Sequence, residues 1–248
     1  MKKYFLVLLL AAYAFSPHYL NGEEKRNIEV GVLADTHYSP DRMKQINHSF
    51  NRIASYGLQP EKTDASIFLA GNKTARDRYK RILVLFYSIF TPEMYAGMED
   101  YVRSGGLLIM NSPMDQTDMN GNYVFDKGTD KTIRNRIHGI HAFANVKLKN
   151  IAVKLESPLT KGLENGKVHE SSSMMSETKE TGATVIVTAT AFRTWGSQKN
   201  QETPIKNMPV LAFLHLGEGA FIYIGIPDNE TLFRNCFSRE VLDWLTNN

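Results

Sequence analysis

Unbroken apolar runs alternate with stretches of helical spacing through the first half of the chain. Ile82–Phe86 is a continuous apolar run, the pattern of a strand covered on both faces in a parallel sheet. Thr91 then caps a helix: Pro92 suits the first turn, Glu93 complements the dipole, and Met94, Met98, Tyr101 and Val102 share one face. Arg103 and Gly105 end it, and Leu107–Met110, flanked by Gly106 and Pro113, is the next short strand. Strand, helix, strand in this order predicts a right-handed parallel crossover.

The same grammar extends in both directions. Ile28–Leu33 opens the sheet and runs into Ala34-Asp35-Thr36-His37. Ser39, Pro40 and Asp41 start a helix with Met43, Ile46, Phe50 and Ile53 on its inner face, stopped by Gly57. A second strand is expected near Ala65–Leu69. Met114–Asp130 is polar and without clear period, which suits a binding loop at a strand end. Thr132–Phe143 returns to helical spacing through Ile133, Ile137, Ile140 and Phe143. Short strands follow at Ile151–Leu155, Thr184–Thr190, Pro209–Leu214 and Ala220–Ile226, with Gly217-Glu218-Gly219 as a hairpin turn between the last two. Ser171–Gly182, rich in Ser, Glu and Thr, reads as a surface loop.

Three stretches, "ILVLFYSIFTPEMYAGMEDYVRSGGLLIMNSP", "SPLTKGL" at Ser157–Leu163 and "PVLAFLHLGEGAFIYIGIP" at Pro209–Pro227, resemble the class I glutamine amidotransferase-like superfamily. Within it the chain is similar to branches without amidotransferase activity, such as the ThuA-like proteins and the trimerisation domain of some bacterial β-galactosidases. The resemblance implies an α/β fold, a mostly parallel flavodoxin-like sheet with helices on both faces and extra antiparallel strands toward the C-terminus. It covers most of the chain from Ile28 onward, through patterns of strand, glycine and turn that speak for fold more than function.

Amidotransferases of this fold carry a Cys nucleophile on a Gly-x-Cys-x-Gly turn. The corresponding strand end here reads Met110-Asn111-Ser112-Pro113-Met114-Asp115, and the one cysteine, Cys236, lies beside Phe233, Phe237, Val241 and Trp244 on an expected terminal helix. A buried, inert thiol is the better reading. Glutamine hydrolysis by the usual route is not expected, and no catalytic residue, cofactor or metal is assigned.

At 248 residues, 42% hydrophobic, the chain suffices for one covered domain, taken as 28–248. Met1-Lys2-Lys3 and the apolar Tyr4–Ala14, ending Ala12-Tyr13-Ala14, have the form of a secretory signal within residues 1–22, too short to span a bilayer. Ala14 and Gly22 both offer cleavage points, and a secreted or periplasmic location is expected. Removing the two lysines leaves 27 basic residues against 26 acidic, a balance that argues against a nucleic-acid partner. No later window has the apolar length of a transmembrane helix. Sequons occur at Asn47, Asn72 and Asn229 and matter only in a eukaryotic secretory route.

Ligands of open α/β sheets bind beyond the carboxyl ends of the strands. Those ends supply Asp35, His37, Tyr87, Ser88, Asn111, Ser112 and Asp115 as candidate ligand-binding residues; the alternative is that they merely cap helices. "GVLADTHYS" also resembles the first motif of metallophosphoesterases, in which Asp-x-His binds one of two metals. The bridging Gly-Asp, the Asn-His pair and the late Gly-His-x-His are all missing, so a chance match is preferred. His138 and His141, three apart on the expected helix, have Arg134 and Arg136 as neighbours, which favours a solvated or anion-facing surface over a metal site. His215 lies in an apolar strand and reads as a core or edge residue. Ser112 is a poor nucleophile because Pro113 removes the next backbone N–H. Phe192, Arg193 and Trp195 could form a sugar platform, though packing is the commoner role.

Three readings stay open. The first is a secreted, non-catalytic domain that binds a small molecule such as a carbohydrate. The second is a metal-dependent extracytoplasmic hydrolase using Asp35 and His37. The third is an assembly module forming a homo-oligomer through an exposed sheet edge.

Overall fold

A computed structural model describes residues 30–35, 38–69, 72–86, 91–111, 140–164, 175–180, 182–193 and 204–247. The strands are β1 (Val30–Leu33), β2 (Pro60–Thr63), β3 (Arg81–Val84), β4 (Leu107–Met110), β5 (Ile140–Val153), β6 (Met175–Glu180), β7 (Thr184–Arg193), β8 (Ile205–Leu216) and β9 (Gly219–Ile224). They form one nine-stranded sheet in the order β2-β1-β3-β4-β9-β8-β7-β5-β6.

From β2 to β9 every pairing is parallel, and from β9 to β6 every pairing is antiparallel. The expected fold class is therefore the observed one. Its parallel half has the flavodoxin-like order, with strand order reversing between β1 and β3.

Among the described residues five α-helices cover the parallel half: α1 (Pro40–Ser55), α2 (Asn72–Arg78), α3 (Pro92–Arg103), α4 (Glu230–Cys236) and α5 (Arg239–Asn247). Alternation along the strands divides the core. Leu83, Leu107 and Ile109 pack on one face with Ile46 and Ile53 of α1 and with Phe233 and Val241 of α4 and α5. Ile82, Val84 and Leu108 pack on the other with Tyr79, Met98 and Tyr101. Both faces being covered is why β3 from Ile82 onward and all of β4 read as continuous apolar runs, each residue buried. The N-caps fall as expected: Ser39 Oγ accepts from Arg42 N–H and Thr91 Oγ1 from Met94 N–H.

Three expectations are corrected. The second strand is Pro60–Thr63, not Ala65–Leu69; Ala65–Phe68 is a 3-10 turn whose apolar side chains pack under α3. β2 is an edge strand with one neighbour, so it needs no apolar run. Met175–Glu180, expected as loop, is the opposite edge strand. Ile140–Phe143, expected at the end of a helix, begins β5, which is held by pairing to β6 and β7; His141 is thus a strand residue, and residues 132–139 lie outside the described residues.

Close approaches fix how α3 sits. A Cβ on Gly97 would stand 1.9 Å from the Phe68 carbonyl oxygen, so α3 crosses the 3-10 turn backbone against backbone. Gly217 has φ +64 in the β8–β9 turn, and Glu218 N–H donates to Arg103 O at the end of α3.

Candidate functional site

The carboxyl ends of the parallel strands are tied by local bonds. Asp35, following β1, is 6% exposed, and its Oδ1 accepts from Ala65 N–H at 3.1 Å. Its carboxylate thus holds the first residue of the 3-10 turn that follows β2, a turn whose N-cap is Asp64. Tyr38 OH donates to Phe86 O at 3.0 Å, and the two rings meet edge to face at 6.0 Å. This bridges the ends of β1 and β3 at the switch point. Asn111 extends the pattern: its N–H donates to Val84 O at 3.0 Å and its Nδ2 to Ile224 O at 2.8 Å, pinning β4 between β3 and β9.

A cleft of about 800 Å³ opens beside these ends. Leu85, Phe86 and Pro227 supply its apolar floor, and Asn111 an amide. One wall is α1, through Asp41, Lys44, Gln45, His48, Ser49 and Arg52. Those positions recur every three or four residues, so they form one polar stripe beside the buried Ile46 and Ile53. The opposite wall is the β9–α4 turn, with Asp228 and Glu230.

The two walls are clamped at one end. Arg52 Nη1 donates to Pro227 O at 2.8 Å, its Nε and Nη2 reach Glu230 Oε2 at 3.0 and 2.7 Å, and its guanidinium lies 4.0 Å from the Phe233 ring centroid. Tyr56 OH donates to Glu230 Oε1. Burial, then the hydrogen bond to Glu230, pushes the Tyr56 hydroxyl up to about 12. Burial works to raise Glu230 as well, but the Tyr56 hydrogen bond and the Arg52 charge outweigh it and hold that carboxyl below its ordinary value.

Of the seven residues expected at the strand ends, Asn111 lines the cleft and Asp35 does not. His37, Tyr87, Ser88, Ser112 and Asp115 lie outside the described residues, as do His138, Trp195 and the segment 1–29. Cys236 is fully buried in α4, where burial pushes its thiol up to about 12, so it is no nucleophile. His215, in β8, meets the Phe213 ring edge to face at 5.1 Å, and its Nε2 has no hydrogen-bond partner among the described residues. Phe192 lies under Lys149, 5.9 Å from its ring centroid. Asn229 is unfit as a glycan acceptor in the folded chain, since it is 9% exposed and its Oδ1 accepts from Leu232 N–H as the cap of α4. Among the described residues no three His, Cys, Asp or Glu side chains converge on a metal position, and no helix there is long and apolar enough to cross a membrane.

A ThuA-like protein from Bacteroides uniformis superposes with a TM-score of 0.60 over 85% of this chain and 90% of its own, at 15% identity. The fold is ThuA-like. The same fold occurs within longer proteins: a β-galactosidase from Rahnella sp. R3 matches with a TM-score of 0.62 over 86% of this chain at 11% identity, and one from Bacillus circulans with 0.55 over 85% at 14%. This chain spans 31% of the length of each of those enzymes. No protein-family model and no curated protein sequence matches it.

The stripe on α1 and the Pro227–Glu230 turn were not singled out by sequence reasoning. A polar helix face looks like any solvated face until a second wall stands opposite. The one available signal was Pro227-Asp228-Asn229, separated by two residues from the apolar β9, a strand end of the same kind as Asp35 and Asn111.

Proposed function

We propose that this chain is an exported, non-catalytic ThuA-like domain that binds a small polyhydroxylated molecule of the carbohydrate class in the cleft between α1 and the β9–α4 turn. The observation that carries the reading is the composition of the cleft. An apolar floor with one aromatic edge suits the C–H face of a sugar ring, while an amide and a polar helix stripe suit its hydroxyls. Its position, outside the carboxyl ends of a doubly wound sheet, is where such folds take ligands. The occurrence of the fold within β-galactosidases supports the carbohydrate class, and the basic, then apolar, residues 1–14 support export.

The test is a thermal-shift titration with mono- and disaccharides on the wild-type chain and on Gln45→Trp, which sets an indole in the cleft from an exposed position on α1. A sugar-dependent rise in Tm that the variant loses supports the reading. No rise with any sugar, or an equal rise in the variant, refutes it.

A further inference from the structure

Resting on the cleft reading above, the ligand's charge can be argued from the walls. We infer that the cleft takes a sugar-sized polyol carrying one anionic group, a carboxylate or a phosphate, seated against Lys44 and His48 of α1.

The charged groups of the cleft divide by what already holds them. Arg52 is 13% exposed and is consumed by Glu230, by Pro227 O and by the Phe233 ring, and Glu230 is consumed by Arg52 and Tyr56. This pair closes one end of the cleft and leaves little charge for a ligand. Asp228, on the same wall, already has an interaction within the chain.

Lys44 and His48 differ. Both are exposed, both line the cleft, and neither side chain makes an ion pair or hydrogen bond with another described residue. They stand one helical turn apart, so their side chains project side by side, with Cβ atoms about 5–6 Å apart. Both end in N–H donors, and a carboxylate or phosphate has enough acceptor oxygens to take both.

The remaining groups argue for a polyol over a bare anion. Asp41 lies three residues before Lys44 on the same stripe, and a carboxylate there opposes a diffuse cloud of anions while accepting well from hydroxyls. Gln45 adds an amide beside Lys44. Asn111 spends an Nδ2 hydrogen on Ile224 O, which leaves its Oδ1 as an acceptor. Leu85, Phe86 and Pro227 give a floor that inorganic phosphate cannot use. The site thus has two N–H donors at one place, the Lys44 ammonium and the His48 imidazole, with hydroxyl acceptors and apolar surface around them.

The test uses the full chain and four probes: glucose, glucuronate, glucose 6-phosphate and inorganic phosphate, by calorimetric titration at low and high salt. At low salt one of the two charged sugars is expected to bind at least about tenfold more tightly than glucose, the size of one charge-assisted hydrogen bond. Which of them does so separates carboxylate from phosphate. The preference is expected to shrink at high salt and to vanish in Lys44→Ala/His48→Ala, both exposed positions, while weak glucose binding persists. If glucose binds as tightly as both charged sugars, or the double variant keeps the preference, the anionic assignment is wrong and the carbohydrate cleft stands. Binding of inorganic phosphate as tight as that of glucose 6-phosphate overturns the polyol part. No binding of any sugar removes the cleft reading and this inference together.

Discussion

Arg52 of α1 lays its guanidinium over the ring of Phe233 of α4, 4.0 Å from the centroid, joining two helices whose residues are far apart in sequence. Its Nε and Nη1 donors are spent on Glu230 and Pro227 O in the same stroke. Arg52→Lys keeps the charge but loses the planar stack and the fork. A loss of about 1–2 kcal/mol in urea unfolding is expected, and about 2–3 kcal/mol for Arg52→Ala. An unchanged midpoint in both would show that the clamp does not hold the walls together.

The clamp also sets a pH window. Glu230 has a folded value below its ordinary 4.5, so its contribution is present above that value and fades as pH falls through the lower folded one. Tyr56 has a folded value of about 12 against an ordinary 10.0, so its contribution is complete below pH 10 and lost as pH rises through 12. Glu230→Gln is therefore expected to flatten the acid limb of Tm against pH, and Tyr56→Phe the alkaline limb. Glu230 is exposed enough for solvent to temper its share.

Gly97→Ala places a methyl within 1.9 Å of the Phe68 carbonyl oxygen. Helix propensity favours alanine by about 1 kcal/mol, but backbone on backbone cannot yield without moving α3. A net loss of about 2 kcal/mol or more is expected, read as a lower Tm. Stabilisation would mean that α3 does not cross the 3-10 turn this closely.

Cys236 is expected to resist thiol reagents in the folded chain and to react at the rate of unfolding, because it is fully buried and its thiol is raised to about 12. Labelling by Ellman's reagent with and without denaturant checks this. Rapid labelling of native protein would contradict the packing of α4.

Asp35→Ala removes the acceptor of Ala65 N–H and is expected to cost about 1–3 kcal/mol, with Asn in its place recovering part of it. Sugar affinity is expected to be unchanged, because Asp35 does not line the cleft. A selective loss of ligand binding at constant stability would instead make Asp35 a binding residue.

What could be read in the sequence follows from how many neighbours an element has. β3 and β4 are covered on both faces, so Ile82–Val84 and Leu107–Met110 carry the pattern in their own residues. β2 (Pro-Glu-Lys-Thr) and β6 (Met-Ser-Glu-Thr-Lys-Glu) sit at sheet edges, where pairing on one side suffices and the alternation dissolves. Ala65–Phe68 looked like a strand because a buried 3-10 turn also needs apolar residues. Ile140 and Phe143 fell at helical spacing by coincidence, and only the pairing partners decide for strand. The cleft was half legible: Asn111 follows from the strand-end rule, whereas Lys44 and His48 depend on Pro227–Glu230 arriving from almost 200 residues away.

β9 lies in the middle of the sheet, pairing Ile109 with Ile222 across 113 positions of chain. The strand that joins the parallel half to the antiparallel half follows every other described strand along the chain. Contacts of such long range make folding slow, and until Gly219–Ile224 has emerged β4 has an open edge and Phe221 no core to enter. Folding in order of synthesis is thereby held back, because the parallel half cannot cover the β4 edge before Gly219–Ile224 is available.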